Sequence, residues 1–266
     1  MKISMFILSD ELSKKYCLNR NIHCGDMVIS SIRIYSSSYN SSKSMLDEYV
    51  YIAKSSAYYN EPGNDVVLVN ANDTITIFNS DIVSVLTDVI IIFDKYRDFD
   101  NALKKACLSK DPFQKMLDQM HGFFQCPMFF GQKDLHIYAI TEQYSEEQVY
   151  EGWDYVKKYH TMPLEFLSIK VAPDMTNYPE TIKTVAIPVS KEEKKNFNYQ
   201  IRSNVYLNNN LWGHLYLYSY DSVVLESTLQ LARYCADMYG EVLDDLKEYN
   251  DTQIKYNKYQ YLKDVL

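Results

Sequence analysis

The clearest pattern in the chain lies near its C-terminal end, where apolar and polar positions first alternate and then recur at helical spacing. Residues 201–207 alternate with a period of two, which predicts a β-strand. Asparagines at 208–210 tolerate the positive φ angles of a hairpin turn, and residues 211–220 form the second predicted strand. Asp221 offers an N-cap for a following helix. Alternation places on one face of the second strand Trp212, His214, Tyr216 and Tyr218.

The predicted helix carries a heptad stripe. Its apolar positions are spaced alternately four and three residues apart over about three heptads, which keeps one seam turned towards a partner. The members of the stripe are Leu225, Leu229, Ala232, Ala236, Tyr239, Leu243 and Leu246. The pattern is compatible with a helix that packs on its own sheet and with the seam of a homodimer. Both can hold at once, and the two alanines would allow two helices to approach closely.

Shorter patterns before residue 110 predict a small α/β domain. A short helix is predicted within residues 1–16, and a long amphipathic helix from Asp81 to about residue 110. Asp111 and Pro112 end this long helix. Strands are predicted over 27–35, 49–53, 65–70 and 74–78, with a Ser/Asn-rich loop over 36–44.

The second half of the chain predicts an antiparallel sheet with helices grouped around it. Helices are predicted over 113–124 and 146–159, the first with Asp111 as its cap and Pro112 in its first turn. Strands are predicted over 128–131, 135–141 and 184–189, while 164–172 is weakly patterned. The fold class is therefore α+β. The expected domains are 1–110, 111–246 and a helical segment over 247–266.

Composition and charge restrict the function. The chain is 47% hydrophobic and 23% charged, which is typical of a globular protein. No apolar run reaches the roughly 18–20 residues of a membrane-spanning helix, and no signal peptide begins the chain. We therefore expect a cytoplasmic protein without a membrane partner. The net charge of -8 argues against strong nucleic-acid binding by this chain.

Signatures of catalysis and of metal binding are not found in the sequence. The histidines are dispersed, without an H-E-x-x-H run, and no phosphate-cradling glycine loop or G-x-S-x-G elbow occurs. The five cysteines are scattered without a C-x-x-C pair, which favours reduced structural thiols. We expect no enzymatic activity, no metal and no cofactor.

The hairpin with its short turn, the strand NNNLWGHLYLY and the helix after it resemble the end of a GAF-type sensor domain, over residues 113–246. The wider arrangement is similar to the sensory half of PucR-type (CdaR-like) bacterial transcriptional regulators. The stretches that carry this resemblance are DEYVYIAKSSAYYNEPGNDVVLVNANDTITIF, QCPMFFGQKDLHIYAIT and EEQVYEGWDYVKKYHTMPLEFL.

The resemblance implies an N-terminal α/β domain, a GAF-like sheet that binds a small-molecule effector, and a dimerising last helix. In that family a C-terminal helix-turn-helix domain follows and contacts DNA. The sequence to Leu266 includes no such domain, so DNA contact is assigned to no residue present. The expected function is the ligand-sensing region of a transcriptional regulator. The alternative is a ligand-free dimerisation or scaffold module.

Residues on the predicted strands and on the helix over 146–159 are candidates for the ligand pocket. The candidate walls are Phe129, Tyr138, Trp153, Val205 and Trp212, and the candidate polar contacts are Tyr199, Arg202 and His214. An inward-facing Arg202 guanidinium would pair with a carboxylate ligand. Core packing is the alternative for each aromatic residue, and a strand phase wrong by one residue would reverse its face.

Overall fold

The computed structural model describes residues 1–35, 46–59, 63–133, 136–161, 181–189 and 196–265, with side chains described up to residue 246. The loop expected over 36–44 and the weak pattern over 164–172 lie outside these ranges. The chain divides into two compact units. The first comprises Met1–Ala102 with Leu225–Ser227, and the second comprises Leu103–Val224 with Thr228–Leu266. The sequence places the boundary slightly later, after residue 110.

The first unit is a five-stranded sheet with helices. Its elements are α1 (Met5–Leu12), β1 (Leu18–Asn21), β2 (Ser31–Ile34), β3 (Tyr49–Lys54), α2 (Ser55–Tyr59), β4 (Val66–Asn70), β5 (Asp73–Ile77) and α3 (Ile82–Cys107). The strand order is β1-β5-β4-β3-β2. Strands β2 and β3 are parallel, and the other neighbouring pairs are antiparallel.

Local sequence explains most of this unit. Strand β4 is an apolar run that is buried along its whole length, as expected for a strand covered on both faces. Asp81 caps α3 by accepting a hydrogen bond from the Ser84 N–H at 2.9 Å. The strands predicted over 49–53, 65–70 and 74–78 are confirmed as β3, β4 and β5. Strand β1 and helix α2 were not predicted, because neither short segment has an apolar period.

The second unit contains an antiparallel five-stranded sheet. Its elements are α4 (Pro112–Phe124), β6 (Met128–Gln132), β7 (Ile137–Ile140), α5 (Trp153–Tyr159), β8 (Thr184–Pro188), β9 (Tyr199–Leu207), β10 (Asn210–Ser219) and α6 (Glu226–Val265). The strand order is β7-β6-β10-β9-β8. The α+β class is confirmed: a small α/β unit is followed by an antiparallel sheet that is flanked by helices, and the described chain ends in a long helix.

The cap of α4 and the turn between β9 and β10 are those that the sequence predicts. Asp111 accepts a hydrogen bond from the Gln114 N–H, and Pro112 occupies the first turn of α4. The β9–β10 hairpin turns at Asn208 and Asn209, with φ angles of 51° and 61°. Two consecutive residues at positive φ match the right-handed twist of the flanking strands.

Two helices begin later than predicted. The helix expected over 146–159 begins only at Trp153, because Gly152 has a φ of 94° and interrupts the helical backbone. The last helix begins at Glu226 rather than directly after residue 222. The carboxylate of Asp221 accepts a hydrogen bond from the Ser219 hydroxyl instead of capping a helix. Leu225 therefore precedes the helix on which the heptad stripe lies.

The two faces of the second sheet are covered by different helices. Helix α4 lies against β6 and β7, and Tyr239 of α6 stacks on Phe130 with ring centroids 4.1 Å apart. The opposite face packs against α5 and the turns before it, through a core that includes Phe129, Val149 and Trp153.

Close approach of β6 and β10 generates the first prediction. A Cβ atom on Gly213 would lie 2.3 Å from the carbonyl oxygen of Gly131, a backbone atom that cannot move aside. We expect Gly213→Ala to lower the free energy of unfolding of the second unit by about 1–3 kcal/mol through overpacking. The measurement is urea unfolding followed by tryptophan fluorescence, since both tryptophans, Trp153 and Trp212, belong to this unit.

The matched control is Gly122→Ala in α4, where no atom lies within 4 Å of the added Cβ. Alanine is favoured over glycine in helix interiors by up to about 1 kcal/mol, so this variant should gain stability. Equal stability of the Gly213 variant and the wild type would contradict the close approach.

A pH dependence follows from the contacts between α1 and α3 in the first unit. Burial raises the pKa of Glu11, but hydrogen bonds and charges from Lys95 and Lys14 outweigh it, so the pKa lies below the usual 4.5. Hydrogen bonds from Lys15 and Tyr16 hold the pKa of Asp88 below its usual 3.8. Depressed carboxyl pKa values contribute stability that is present above the unfolded pKa and lost as pH falls through the folded pKa.

We therefore expect hydrogen-exchange protection of α1, corrected for intrinsic rates, to decline as pH falls below 4.5. Glu11→Gln should lower protection at pH 7, and its difference from the wild type should shrink at acid pH. Asp94→Asn is the control, because Asp94 pairs with the exposed Arg97 within α3. An undiminished difference at acid pH would show that Glu11 does not carry the effect.

Candidate functional site

The face of the second sheet beneath α5 holds the candidate site. Strand register pairs Tyr216 of β10 with Phe129 of β6 on one side and with Arg202 of β9 on the other. Directly paired residues point to the same face with Cβ atoms about 4.5–5.5 Å apart, so these three side chains form one row. The paired residues His214 and Asn204 form the next row.

Aromatic side chains cover this surface. Trp153 of α5 is fully buried, with its ring centroid 6.3 Å from that of Phe129 and 5.8 Å from that of Tyr218. The Tyr150 ring lies 5.4 Å from Trp153, edge-on. We call this surface the aromatic face, formed by Phe129, Tyr150, Trp153, Phe197, Tyr216 and Tyr218.

The hydroxyl groups of the aromatic face are held neutral. Burial raises the pKa of Tyr216, and the positive charge of Arg202 only partly opposes this effect. Burial also raises the pKa of Tyr150 and of Tyr218, and the Tyr218 hydroxyl donates a hydrogen bond to that of Tyr150. Phenols with raised pKa values stay protonated near neutral pH, so they offer hydrogen bonds and no charge. The charge close to this surface is that of Arg202, whose side chain is buried.

A buried polar pair adjoins the aromatic face. The Nδ1 atom of His214 lies 2.9 Å from the Oδ1 atom of Asn204. The Asn204 amide nitrogen donates to the Ile182 carbonyl at 3.0 Å and to the Tyr206 hydroxyl at 3.3 Å. These bonds make Oδ1 the acceptor, which assigns the proton of the pair to Nδ1 of His214.

Helix α6 contacts the backbone of the strand that bears these residues. The Arg233 guanidinium donates a hydrogen bond to the carbonyl oxygen of Asn204 at 2.7 Å and also pairs with Asp237. About two helical turns after Arg233, Gly240 lies so close to the strand that an added Cβ would be 2.8 Å from the Tyr206 carbonyl oxygen. The strand β9 thus has the candidate site on one face and α6 on the other.

The candidates from the sequence do not all share this face. Phe129, Trp153, Arg202 and His214 belong to it. Register shifts occur beside Gly131 in the β6–β7 pair and between Leu211 and Gly213 in β10. At each shift the regular alternation of side chains between the two faces of the sheet is interrupted. The assignment of Trp212 to the face of His214 is therefore wrong.

The two candidates displaced by these shifts contact one another on the α6 side. The Trp212 ring lies 5.2 Å from Tyr138 and stacks on Phe130 at 5.5 Å, and Phe130 in turn stacks on Tyr239. Tyr199 lies apart from both groups at the start of β9, where its hydroxyl donates to the Ser222 carbonyl at 3.4 Å. Val205 is fully buried and pairs with Gly213, one position away from the row of His214.

The heptad stripe is buried at its centre and contacts the sheet through Tyr239. Its central members are buried within one chain: Ala232, Ala236, Tyr239 and Leu243. The Tyr239 hydroxyl donates to the Phe113 carbonyl at 3.0 Å, which ties α6 to the start of α4. Leu229 is half-buried, while Leu225 and Leu246 are 42% and 39% exposed.

Sequence reasoning did not single out Asn204, Arg233 or Tyr150 as members of this arrangement. Asn204 could have been found from the sequence, because it lies two positions after Arg202 on one predicted strand and therefore shares its face. Arg233 and Tyr150 gave no comparable signal, since one lies on a charged helix face and the other in a turn.

The thiols and the acidic groups offer little chemistry. Burial raises the pKa of Cys126 to about 12 and raises that of Cys235 further, so both stay protonated. Within the described ranges, no group of three or more His, Cys, Asp or Glu residues is placed to hold a metal ion. No helix in the described part of the chain has both the length and the apolarity to cross a membrane.

Comparison with known proteins gives distant structural likenesses. No protein-family model and no curated protein matches the chain. Among solved structures, it is similar to the bacteriophytochrome RpBphP3 from the photosynthetic bacterium R. palustris, with a TM-score of 0.40 and 7% sequence identity. The match covers 74% of this chain and 48% of that chain, so it spans about half of the bacteriophytochrome structure. A likeness at this level carries no argument about function.

Proposed function

We propose that this chain is the ligand-sensing region of a cytoplasmic bacterial transcriptional regulator. In this proposal a small molecule binds at the aromatic face, and α6 passes the change to an output domain that contacts DNA. The observation that carries the proposal is the shared strand β9. Its residues Arg202 and Asn204 face the site, while Arg233 and Gly240 of α6 contact its backbone.

The mechanism requires two arrangements of β9 and α6 with different affinities for the ligand. A ligand that contacts Arg202 or Asn204 would favour one position of this strand. Since Arg233 bonds to the Asn204 carbonyl, α6 would follow the strand. A ligand shifts such an equilibrium only by its differential affinity for the two states.

The length of α6 supports a homodimer as the signalling unit. The helix comprises 40 residues, which corresponds to about 60 Å at 1.5 Å per residue. Its stripe is buried as far as Leu243, and the helix extends to Val265. Long helices in proteins depend on tertiary packing for most of their stability, and a second α6 is a suitable partner.

The sensor function predicts ligand-dependent stabilisation and a ligand-dependent change in α6. A thermal-shift screen of purines, ureides, sugar acids and aromatic acids should contain compounds that raise Tm, because binding to the folded state adds RT ln(1 + [L]/Kd) to stability. With such a compound, hydrogen exchange in α6 should change. Arg233→Ala should keep the shift in Tm but lose the change in α6.

The matched control is Arg97→Ala, which removes an arginine that pairs with Asp94 on the surface of α3. It should retain both responses. A screen without any response would favour the alternative function, a ligand-free dimerisation module, and turnover of any compound would indicate an enzyme.

The dimer predicts a concentration-dependent mass that depends on the exposed ends of the stripe. We expect light scattering to report a dimer for the wild type and a folded monomer for the double variant Leu225→Glu and Leu246→Glu. Leu46→Glu changes a leucine of the first unit that is 49% exposed, and it should leave the dimer intact. A monomeric wild type at all concentrations would contradict signalling through paired α6 helices.

A further inference from the structure

A second apolar stripe lies on the outer side of α3, away from the residues that this helix buries. The buried side includes Val85, Val89, Ile92 and Tyr96. The other side carries a row that we call the outer stripe, formed by Val83, Leu86, Ile90 and Phe93. Val83 is 63% exposed and Ile90 is 45% exposed, while the other two are half-buried. A monomer rarely leaves contiguous apolar surface exposed, so such a surface marks a site of interaction.

The spacing of the outer stripe fits a partner helix. Its members follow one another after three, four and three residues, and Arg97 occupies the next position after four more. Two helices interdigitate along a repeat of this kind, whereas a strand presents side chains at a period of two. The repeat covers about three helical turns, so it matches a helix of similar length.

The charges beside the outer stripe argue against a lipid surface as its partner. From Asp81 to Asp98, α3 and its cap carry four carboxylates and two cations. Helices that lie in membrane interfaces carry Lys and Arg on their polar face, which anionic lipids attract. The whole chain has a net charge of -8, so an anionic lipid surface would repel it.

We propose that the outer stripe binds a second copy of this chain, with the two α3 helices packed antiparallel about a two-fold axis at Ile90. Ile90 then meets its counterpart on the axis, and Leu86 meets Phe93 of the second copy on each side of it. The surface is self-complementary, as a two-fold interface requires. The contact belongs to the first unit and depends neither on the sensor function nor on pairing through α6.

Charge complementarity selects the antiparallel direction. In this direction Arg97 of the second copy lies beside Val83 and reaches towards Asp81, the exposed cap of α3. A parallel pair would instead bring Asp94 and Arg97 each next to its own counterpart, and like charges at such distances destabilise the pair. Antiparallel helices also oppose their dipoles, which a parallel pair does not.

Disulfide trapping tests the contact at its axis, on the full chain with the exposed Cys17 and Cys24 changed to serine. Two helices with axes roughly 8–10 Å apart place facing Cα atoms about 4–6 Å from one another, which a disulfide can span. We expect Ile90→Cys to form a covalent dimer under copper–phenanthroline oxidation, followed on a non-reducing gel. Ile91→Cys is the matched control, because Ile91 is 58% exposed but points about 100° away around the helix. It should cross-link roughly tenfold more slowly or not at all.

The direction of the pair is tested by mixing two single variants in the same background. Leu86→Cys and Phe93→Cys should each give little covalent dimer alone and should cross-link when mixed, because only the antiparallel pair brings these two positions together. Cross-linking of each variant with itself would indicate a parallel pair and would overturn the proposal.

Other partners of the outer stripe give other results. Equal rates for Ile90→Cys and Ile91→Cys would show that no second copy covers the stripe, and would overturn the proposal. Binding of the wild type to phosphatidylcholine vesicles, lost in Ile90→Glu, would show that lipid covers it and would also overturn the proposal. Because a dimer through α6 raises the encounter rate of both cysteine variants alike, their comparison is independent of that dimer and of the ligand site.

Discussion

The structure of the second unit depends on strand β9, which is paired along both edges and contacted by α6. Hydrogen bonds join it to β8 and β10 along its two edges, and its central residues, Ile201–Val205, are buried. Arg233 binds its backbone at Asn204, and Gly240 meets it at Tyr206. Because the interior of a protein is close-packed, a shift of this strand is transmitted to whatever contacts it. The site and the last helix are therefore two sides of one structural element.

The two units share a plan in which a hairpin leads into a long helix. In the first, β4 and β5 form the hairpin and α3 follows; in the second, β9 and β10 form it and α6 follows. In both sheets the first strand of the unit, in chain order, lies beside the fifth. The fifth strand then pairs with the fourth, and the fourth pairs with the third. The remaining strand differs: β2 is parallel to β3 at one edge, whereas β7 is antiparallel to β6 at the other.

Tyrosine is unusually common, with 25 residues, and its role varies with position. On the aromatic face, burial raises the pKa values of Tyr150, Tyr216 and Tyr218, so these rings combine apolar surface with neutral hydroxyl groups. On the opposite side, Tyr239 joins α6 to the sheet by stacking and to α4 by its hydroxyl. A ring that is apolar at its body and polar at its tip suits both of these positions.

The sequence by itself determined the α+β class, the hairpin at Asn208 and Asn209 and the capping of α4. These features depend on local properties: periodicity, tolerance of positive φ and capping of free N–H groups. It did not determine that Trp212 leaves the face of His214, because a register shift arises from pairing with β9 and has no local signature.

Tertiary structure also decided how the heptad stripe is used. A stripe of apolar residues records that one side of a helix is covered, and it is equally compatible with a sheet and with a second helix. Only the folded unit buries Ala232, Ala236 and Tyr239 within one chain and stacks Tyr239 on Phe130 of the sheet. The contact between Arg233 and the Asn204 carbonyl likewise joins residues 29 positions apart, and no pattern along the chain specifies such a pair.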